Sequence, residues 1–241
     1  MHIHLPKPLH GWREFLGEIG IIVIGVLLAL SAEQAIESWR WHEKVDAARK
    51  SIDFEVNQQL DFSEEVMRFQ PCVDPFVSAL ESAILRHDAA AIARLYNGQS
   101  PFFPRPWRST AWQSAMSTGV ADHFRQQDLN EYAFMFTSFD DLSRTQDLML
   151  SDLSEATTGR LGAPADPAST QLQLAAAERL RVHLELQGLI ADSLVKIGAG
   201  QSPNGWKFTG RHRDAGFFNY IRGEKAECER TANAPQAASK G

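Results

Sequence analysis

The chain has little cysteine, only one long hydrophobic run and no excess of basic residues. Two of its 241 residues are cysteines, and 24 lysines and arginines stand against 30 aspartates and glutamates, which gives a net charge of −6. We expect no nucleic-acid partner, because proteins that bind nucleic acids present a broad basic surface. A mean hydropathy of −0.28 and the lack of a second apolar span exclude a polytopic membrane protein.

The sequence also lacks the motifs that mark most catalytic and cofactor sites. It contains no GxxxxGK[ST] or GxGxxG phosphate loop, no GxSxG nucleophile elbow and no HExxH metalloprotease pattern. No glutamate precedes a histidine by three residues, as a di-iron bundle requires, and two isolated cysteines cannot form a zinc site unaided. We therefore expect no enzyme, with no catalytic residues, no cofactor and no metal site.

The apolar run from Phe15 to Ala32 contains a single charge, Glu18. Its length is about the shortest that crosses the ~30 Å hydrocarbon core of a bilayer as a helix. Trp12 precedes the run and Trp39 follows it, about 40 Å apart along a helix at ~1.5 Å per residue. Tryptophan collects at the two interfaces of a bilayer, which lie about that far apart. These features predict a transmembrane helix that stays in the protein.

Three other interpretations of this segment remain open. A cleaved signal peptide would use Lys7 and Arg13 as its basic region and Ala29-Leu30-Ser31 as its small-residue cleavage site. However, Glu18 lies where the core of such a peptide is purely apolar. A helix lying flat in the interface would need a polar face, whereas the residues from Ile19 to Leu30 are apolar all round. A helix buried in a soluble core usually has a shorter apolar run.

The string WREFLGEIGIIVIGVLLALSAEQAIESWRWHEKVDAAR resembles the N-terminal segment of a group of uncharacterised single-span bacterial inner-membrane proteins. These carry an acidic residue, an Ile/Val run broken by glycine, Ala-Leu, a polar turn and a tryptophan. The resemblance covers about residues 12–50, with a weaker echo at Ala111-Trp112 and in the turn 117–119. It implies a membrane anchor followed by a helical domain, and it does not imply any particular activity.

The charges around the span and the cysteines predict opposite orientations. Two basic residues precede the span and four follow it closely, which alone would leave the large domain in the cytoplasm, although long domains translocate largely regardless of charge. If Cys72 and Cys228 pair, the bond persists only in an oxidising compartment such as the periplasm. Two unrelated buried thiols are the alternative. With the resemblance added, we expect a cytoplasmic N-terminus and a periplasmic domain.

The rest of the chain predicts an all-α fold. No proline or glycine interrupts the segment from Ser31 to Phe69, so the span is expected to continue as one long helix that Pro71 ends, with Asp74 capping the next helix. The expected divisions are an N-terminal tail (1–14), a transmembrane helix with its interface (15–41), a helical bundle (42–200) and an irregular C-terminal segment (201–241). The apolar spacing in the later helices predicts these core positions: Phe76, Leu80, Ile84, Leu85, Leu129, Ala133, Phe136, Leu142, Leu150, Leu172, Ala176, Leu180, Leu184 and Ile190.

Breaks between these helices are expected at His87-Asp88, over the irregular segment 100–108 and over the linker 162–167. Helices are predicted over about 127–155 and 169–197, with shorter ones ending near 98 and beginning near 109. The stretch 217–221 is the one candidate for a short strand.

One face of the predicted span carries residues suited to helix association. On a helix Glu18 shares a face with Gly25, Ala29 and Ala32, and the Gly25–Ala29 pair has the small-xxx-small spacing that lets helices approach closely. A carboxyl beside such a groove favours a partner helix, either a second copy or another membrane protein. The alternative is that Glu18 extends to the nearby lipid headgroups.

Two further sets of residues are candidates for contacts outside the span. Arg211, Arg213 and Arg222 alternate with aromatic residues and are candidates for binding an anion or a partner, the alternative being a surface element with solvated arginines. Aromatic and basic residues around the proline-rich loop either line a pocket or fix the loop to the bundle, namely Trp107, Arg108, Trp112 and His123.

Three classes of function fit these features. The first is a membrane-anchored helical interaction or scaffolding protein, such as an accessory subunit of a cell-envelope complex, with the lipid bilayer and another membrane protein or a second copy as partners. The second is a periplasmic ligand-sensing bundle that signals through a partner. The third is an enzyme with an unrecognised site.

Overall fold

The computed structural model is helical through almost all of the residues that it describes, which are 11–98, 104–162, 166–201, 205 and 208. Six α-helices are joined by short 3-10 turns and irregular segments, and no strand occurs within these residues. The predicted all-α fold is confirmed for this part of the chain. The stretch 217–221, which was the candidate strand, lies outside the described residues.

The first helix, α1, runs from Trp12 to Phe69. Its continuity follows from the sequence, because no proline removes a backbone donor and no glycine loosens the chain beyond Gly25. Proline disfavours helical backbone at the residue before it, and Pro71 accordingly lies in a 3-10 turn, Gln70–Cys72, just beyond the end of α1. The prediction of one long helix ending before Pro71 is therefore confirmed.

The chain divides into two compact units, the first ending at Ala48 and the second beginning at Arg49. The described part of the first unit consists of the N-terminal portion of α1. The second unit contains the C-terminal portion of α1 and the remaining five helices. This division falls within α1, a little beyond the limit of 41 expected for the transmembrane and interface region.

Helix α2 (Val73–Leu85) and helix α3 (Ala89–Gly98) are separated at His87-Asp88, as predicted. His87 adopts a left-handed conformation with φ of 52°, and the Asp88 side chain accepts a hydrogen bond from the Ala91 amide at 2.8 Å. The prediction that Asp74 caps α2 is wrong. The preceding 3-10 turn passes directly into α2, so Asp74 already lies inside the first helical turn, where it pairs with Arg181 at 2.8 Å.

Helix α4 (Thr110–Ser117) is followed by a 3-10 turn, Val120–His123, and by the long helix α5 (Gln126–Ala156). A second 3-10 turn, Thr158–Leu161, leads towards helix α6 (Pro167–Gly198). Asp166 begins α6, because its side chain accepts hydrogen bonds from two amides of the first turn and Pro167 occupies the first helical position. The predicted linker thus ends one residue earlier than expected.

Helices α5 and α6 form an antiparallel pair, since Glu155 on α5 contacts Arg179 on α6 and Asp152 contacts His183 further along. Helices α2 and α3 pack with this pair around a core that includes Val77, Leu80, Ile84, Ile92, Met149, Leu180 and Leu184. The C-terminal portion of α1 buries Ile52, Val56 and Leu60 within the second unit.

Most of the predicted core positions are buried, namely Phe76, Leu80, Ile84, Phe136, Leu142, Ala176, Leu180 and Leu184, and Leu129, Ala133 and Ile190 are half-buried. Three predictions are wrong. Leu85 is 62% exposed, Leu150 38% and Leu172 61%. Each is next in sequence to a buried residue (Ile84, Met149 or Gln173), and one residue turns a helix by about 100°, which moves a side chain at the edge of the stripe into solvent.

Candidate functional site

The C-terminal portion of α1 carries a row of buried polar side chains that the sequence analysis did not identify. Glu55, Gln59 and Glu65 are all buried, and Gln59 is completely so. They lie on one broad face of the helix, which also carries Phe62. We call Glu55, Gln59 and Glu65 the polar row. A buried carboxylate without a partner costs several kcal/mol, about as much as the stability of a small domain, so each must be matched by donors.

The partners of Glu65 and Gln59 belong to an irregular segment, residues 104–109, which we call the strap. Side-chain burial alternates along it, with Arg105, Trp107 and Ser109 partly buried and the intervening residues exposed. Such alternation is typical of an extended chain covered on one face. Pro106 favours this conformation, because it biases Arg105, the residue before it, away from the helical region.

Arg105 is bound through both its side chain and its backbone. Its guanidinium group donates two hydrogen bonds to the carboxylate of Glu65, one of them at 2.6 Å. Its backbone amide donates to Oε1 of Gln146 at 2.7 Å, and Nε2 of Gln146 donates to its carbonyl oxygen at 3.1 Å. Helices α1 and α5 therefore recognise an arginine and the peptide unit that carries it.

Trp107 is bound by the same two helices. Its indole Nε1 donates to Oε1 of Gln146 at 3.2 Å, and its ring meets Phe62 edge-on with the centroids 5.9 Å apart. The side chain of Gln59 reaches the carbonyl of Arg108 at 3.5 Å, at the outer limit of a hydrogen bond. The strap thus lies in a groove formed by the polar row, Phe62 and Gln146, which we call the strap groove.

Glu55 supplies the cap for α4. Its two carboxylate oxygens accept hydrogen bonds from the amides of Thr110 and Ala111 at 3.0 and 2.9 Å. Ser109, at the N-cap position, makes no capping bond with its own side chain. A carboxylate from α1 therefore satisfies the free amides and complements the helix dipole at this end of α4.

The aromatic residues around the loop fix it to the bundle. Trp112 stacks on Phe136 with the rings 5° from parallel and their centroids 5.6 Å apart. Trp112 and Trp107 are half-buried, whereas Arg108 and His123 are exposed. Of the four residues singled out in the sequence, the structure thus brings the two tryptophans against the bundle.

A second polar cluster joins α1 to the start of α5. Arg49 and Arg125 both bind the buried carboxylate of Asp128, and the Tyr132 hydroxyl donates to Oδ1 of Asp53 at 2.6 Å. Burial raises the pKa of Asp53 above its usual value, more than the hydrogen bond from Tyr132 and the charge of Arg49 lower it. Burial and the bond to Asp53 also raise the pKa of Tyr132, which keeps its proton at neutral pH.

A third cluster joins α5 to α6. Asp152 accepts Arg179 Nε at 2.9 Å and contacts Nδ1 of His183 at 2.7 Å. A carboxylate that orients a histidine is two thirds of a nucleophilic triad, but no hydroxyl or thiol within the described part of the chain is hydrogen-bonded to His183. The same residues include no group of three side chains placed to hold a metal ion.

The helix-association residues of the first unit are all exposed. Glu18, Gly25, Ala29 and Ala32 lie on the surface of α1, and a Cβ atom added at Gly25 would meet nothing within 4 Å. An 18-residue window of this helix, near the N-terminus, has a mean hydropathy of 2.4 and none of it is buried. By length and composition it is the one helix among the described residues that could cross a membrane.

Two of the predicted sets reach beyond the described residues. Cys72 is buried and disulfide-bonded, but Cys228 lies outside the described part, so their pairing stays a prediction. Arg211, Arg213 and Arg222 lie outside it as well.

No family model, no curated protein and no solved structure matches the chain. Its function is therefore inferred from the residues and contacts above.

Proposed function

We propose that this chain is a single-pass protein of the bacterial inner membrane whose helical domain serves as an interaction or scaffolding unit on the periplasmic side. In this view residues 15–41 form the anchor and its interface, and the domain behind them contributes to a cell-envelope complex. The resemblance of residues 12–50 to single-span inner-membrane proteins supports the same assignment.

The observation that carries the proposal is the exposure of α1 between Leu16 and Leu30. Ten large aliphatic side chains there are exposed, on every face of the helix. Burying a fully exposed side chain of this kind contributes about 1.5–3 kcal/mol, and these ten are about half exposed, so leaving them in water forgoes roughly 8–15 kcal/mol. That is as large as the ~5–15 kcal/mol by which a domain is usually stable, and a bilayer is the solvent that removes the cost.

The polar clusters favour interaction over catalysis or small-molecule sensing. Glu55 and Glu65 accept their hydrogen bonds from two backbone amides, of Thr110 and Ala111, and from the guanidinium group of Arg105, which are groups that another protein chain can also supply. Asp152 and His183 form a pair without a nucleophile in the described residues.

The first test is extraction of native membranes with alkaline carbonate. We expect the protein in the membrane pellet with residues 1–32 still attached, because an apolar helix of this length partitions into lipid. Mature protein whose sequence begins near Ala32 would identify the segment as a cleaved signal peptide and would overturn the proposal.

A matched pair of variants distinguishes insertion of the apolar helix into the bilayer from adhesion of the protein to the membrane surface. Ile24→Lys together with Leu27→Lys places two charges at the centre of the run, at roughly 2.5–3.5 kcal/mol each, and should release the protein into the supernatant. Phe54→Lys, at an exposed position of α1 in the second unit, should leave it in the pellet. Equal behaviour of the two variants would contradict a transmembrane anchor.

A further inference from the structure

We propose that the strap groove is a peptide-binding site, closed in this structure by the chain's own residues 104–109. A partner protein would enter it with an extended segment that carries an arginine and, two positions later, an aromatic residue. The inference adds a site and a class of partner to the proposed function, and it rests on that function only in taking the domain to have partners.

The groove has the components of a peptide-recognition site. Glu65 accepts the arginine through both carboxylate oxygens, an arrangement that lysine cannot reproduce. Gln146 binds the amide and the carbonyl of the same residue, which selects an extended backbone whatever the side chain. Phe62 and Gln146 together receive the aromatic ring two positions later. Main-chain bonds of this kind provide affinity, and the side-chain sites provide specificity.

The strap leaves one buried hydrogen-bond acceptor of the groove unused. Gln59 is completely buried, yet its Oε1 accepts no hydrogen bond from the residues that the structure describes. Its Nε2 reaches the Arg108 carbonyl only at 3.5 Å. Buried polar atoms are nearly always satisfied in native proteins, so an unused acceptor on the side chain that reaches the strap points to a ligand that brings another donor.

The strap is also the kind of element that can be displaced. It is an irregular segment, with one backbone hydrogen bond of its own, from the Trp107 amide to the Arg105 carbonyl at 3.0 Å. Arg105 is also bonded to Glu65 on α1, and both Arg105 and Trp107 are bonded to Gln146 on α5. A competing segment can therefore replace the bonds of Arg105 and Trp107, and it need not disturb Ser109, whose carbonyl oxygen accepts the first backbone hydrogen bond of α4 from Gln113 at 2.8 Å.

The groove carries negative charge from Glu55 and Glu65, which favours a cationic segment. The exposed prolines of the strap mark positions that the groove does not contact, so a partner segment with proline there keeps its extended form at little entropic cost. We therefore assign the site to an arginine- and aromatic-containing, proline-rich segment of a second protein.

The test uses the full chain in detergent micelles and a fluorescein-labelled peptide with the sequence of residues 104–111, PRPWRSTA. In the wild-type chain the tethered strap competes at an effective concentration on the order of millimolar. The variant Arg105→Lys with Trp107→Ala weakens the strap without leaving Glu65 unpaired. We expect this variant to bind the peptide at least about tenfold more tightly than the wild-type chain, by fluorescence anisotropy.

Two altered peptides serve as matched controls, because each loses one arginine. Alanine in place of Arg105 should weaken binding at least about tenfold, whereas alanine in place of the exposed Arg108 should have little effect. Equal binding of the two altered peptides, or a folded strap variant with no saturable binding, would overturn the proposal. Neither outcome would bear on the membrane anchor, which the carbonate extraction tests separately.

If the strap variant does not fold, hydrogen exchange of the wild-type chain decides the question. A groove that opens locally exchanges the Arg105 amide, which is bonded to Gln146, faster than the core amides of α5. Exchange of the Arg105 amide only together with those core amides would show that a partner has no access to the groove, and the proposal would fall.

Discussion

Glu55 and Glu65 are buried anions whose partners lie far away in the sequence. Glu65 binds Arg105, forty residues later, and Glu55 binds two amides at the start of α4. Removing one member of such a pair commonly costs about 3–5 kcal/mol, because the other charge stays buried without compensation. These contacts therefore specify where the strap and α4 lie, more than they raise the overall stability.

Asp53 allows a test of the Arg49 cluster by pH. The native pKa of Asp53 lies above its unfolded value of 3.8, chiefly because of burial. The folded state then binds the proton more tightly, so this contribution is present below about pH 3.8 and is lost as the pH rises through the raised native pKa. We expect Asp53→Asn to gain stability relative to the wild-type chain between pH 4 and 7, by no more than about 1 kcal/mol because the site is half-exposed.

Denaturant unfolding of the full chain in detergent, at both pH values, measures this difference. The control is Asp140→Asn on α5, which makes the same substitution at an exposed carboxylate outside this cluster. Parallel pH profiles for Asp53→Asn and the wild-type chain would contradict the assignment.

Helix α1 has two different surfaces along its length. Its N-terminal portion exposes apolar side chains in all directions, which suits lipid. Its C-terminal portion has a stripe of Ile52, Val56 and Leu60 for the core and the polar row for the strap. Helix α1 therefore exposes an apolar surface in the first unit and contributes to the core and to the strap groove in the second.

The small residues of the span lead to a prediction about association. If Glu18, Gly25 and Ala29 face another helix, Gly25→Leu should block close approach and weaken association by about 0.5–2 kcal/mol, since single contacts in membranes contribute no more than that. Glu18→Gln keeps the shape of the side chain and removes its charge, and Glu18→Leu removes its hydrogen bonds as well.

Crosslinking and co-purification from native membranes measure these effects, with Gly20→Leu as a control that makes the same size change on the opposite side of the helix. If association is unchanged in Gly25→Leu, Glu18→Gln and Glu18→Leu, this face of the helix takes no part in association. The contact surface would then have to lie in the helical domain.

The orientation of the protein depends on two opposing features. The lysines and arginines that follow the span favour a cytoplasmic domain, whereas the disulfide-bonded state of Cys72 requires an oxidising compartment. A long domain translocates largely regardless of nearby charge, so we give the cysteine more weight. The periplasmic orientation remains part of the proposal.

We predict that Cys72 and Cys228 are joined in protein taken from native membranes. Both should resist alkylation before reduction and accept the reagent after it, and mass mapping should locate the modified residues. In the variant Cys228→Ser, Cys72 should be alkylated without reduction, and stability should fall by up to about 5 kcal/mol because the bond closes a long loop. Two thiols that react freely in the wild-type protein would remove the main support for a periplasmic domain.

Local patterns in the sequence were sufficient for the helices and their ends. The uninterrupted segment before Phe69, the break at His87-Asp88 and the start of α6 depend on backbone preferences within a few residues. The first two were predicted correctly, and α6 begins at Pro167, two residues before the predicted start. The apolar run near the N-terminus could also be predicted, because its length and composition are local properties of the sequence.

The strap groove could not be predicted, because its contacts join residues far apart in the chain. Glu55 and Glu65 have the spacing of ordinary solvated charges on a helix, and nothing local shows that Arg105 and the start of α4 will cover them. The edge positions Leu85, Leu150 and Leu172 were wrong for a related reason, since helical periodicity gives the direction of an apolar stripe but not its width. Which side chains are covered depends on how closely the neighbouring helices approach, and that is settled only when the helices pack together.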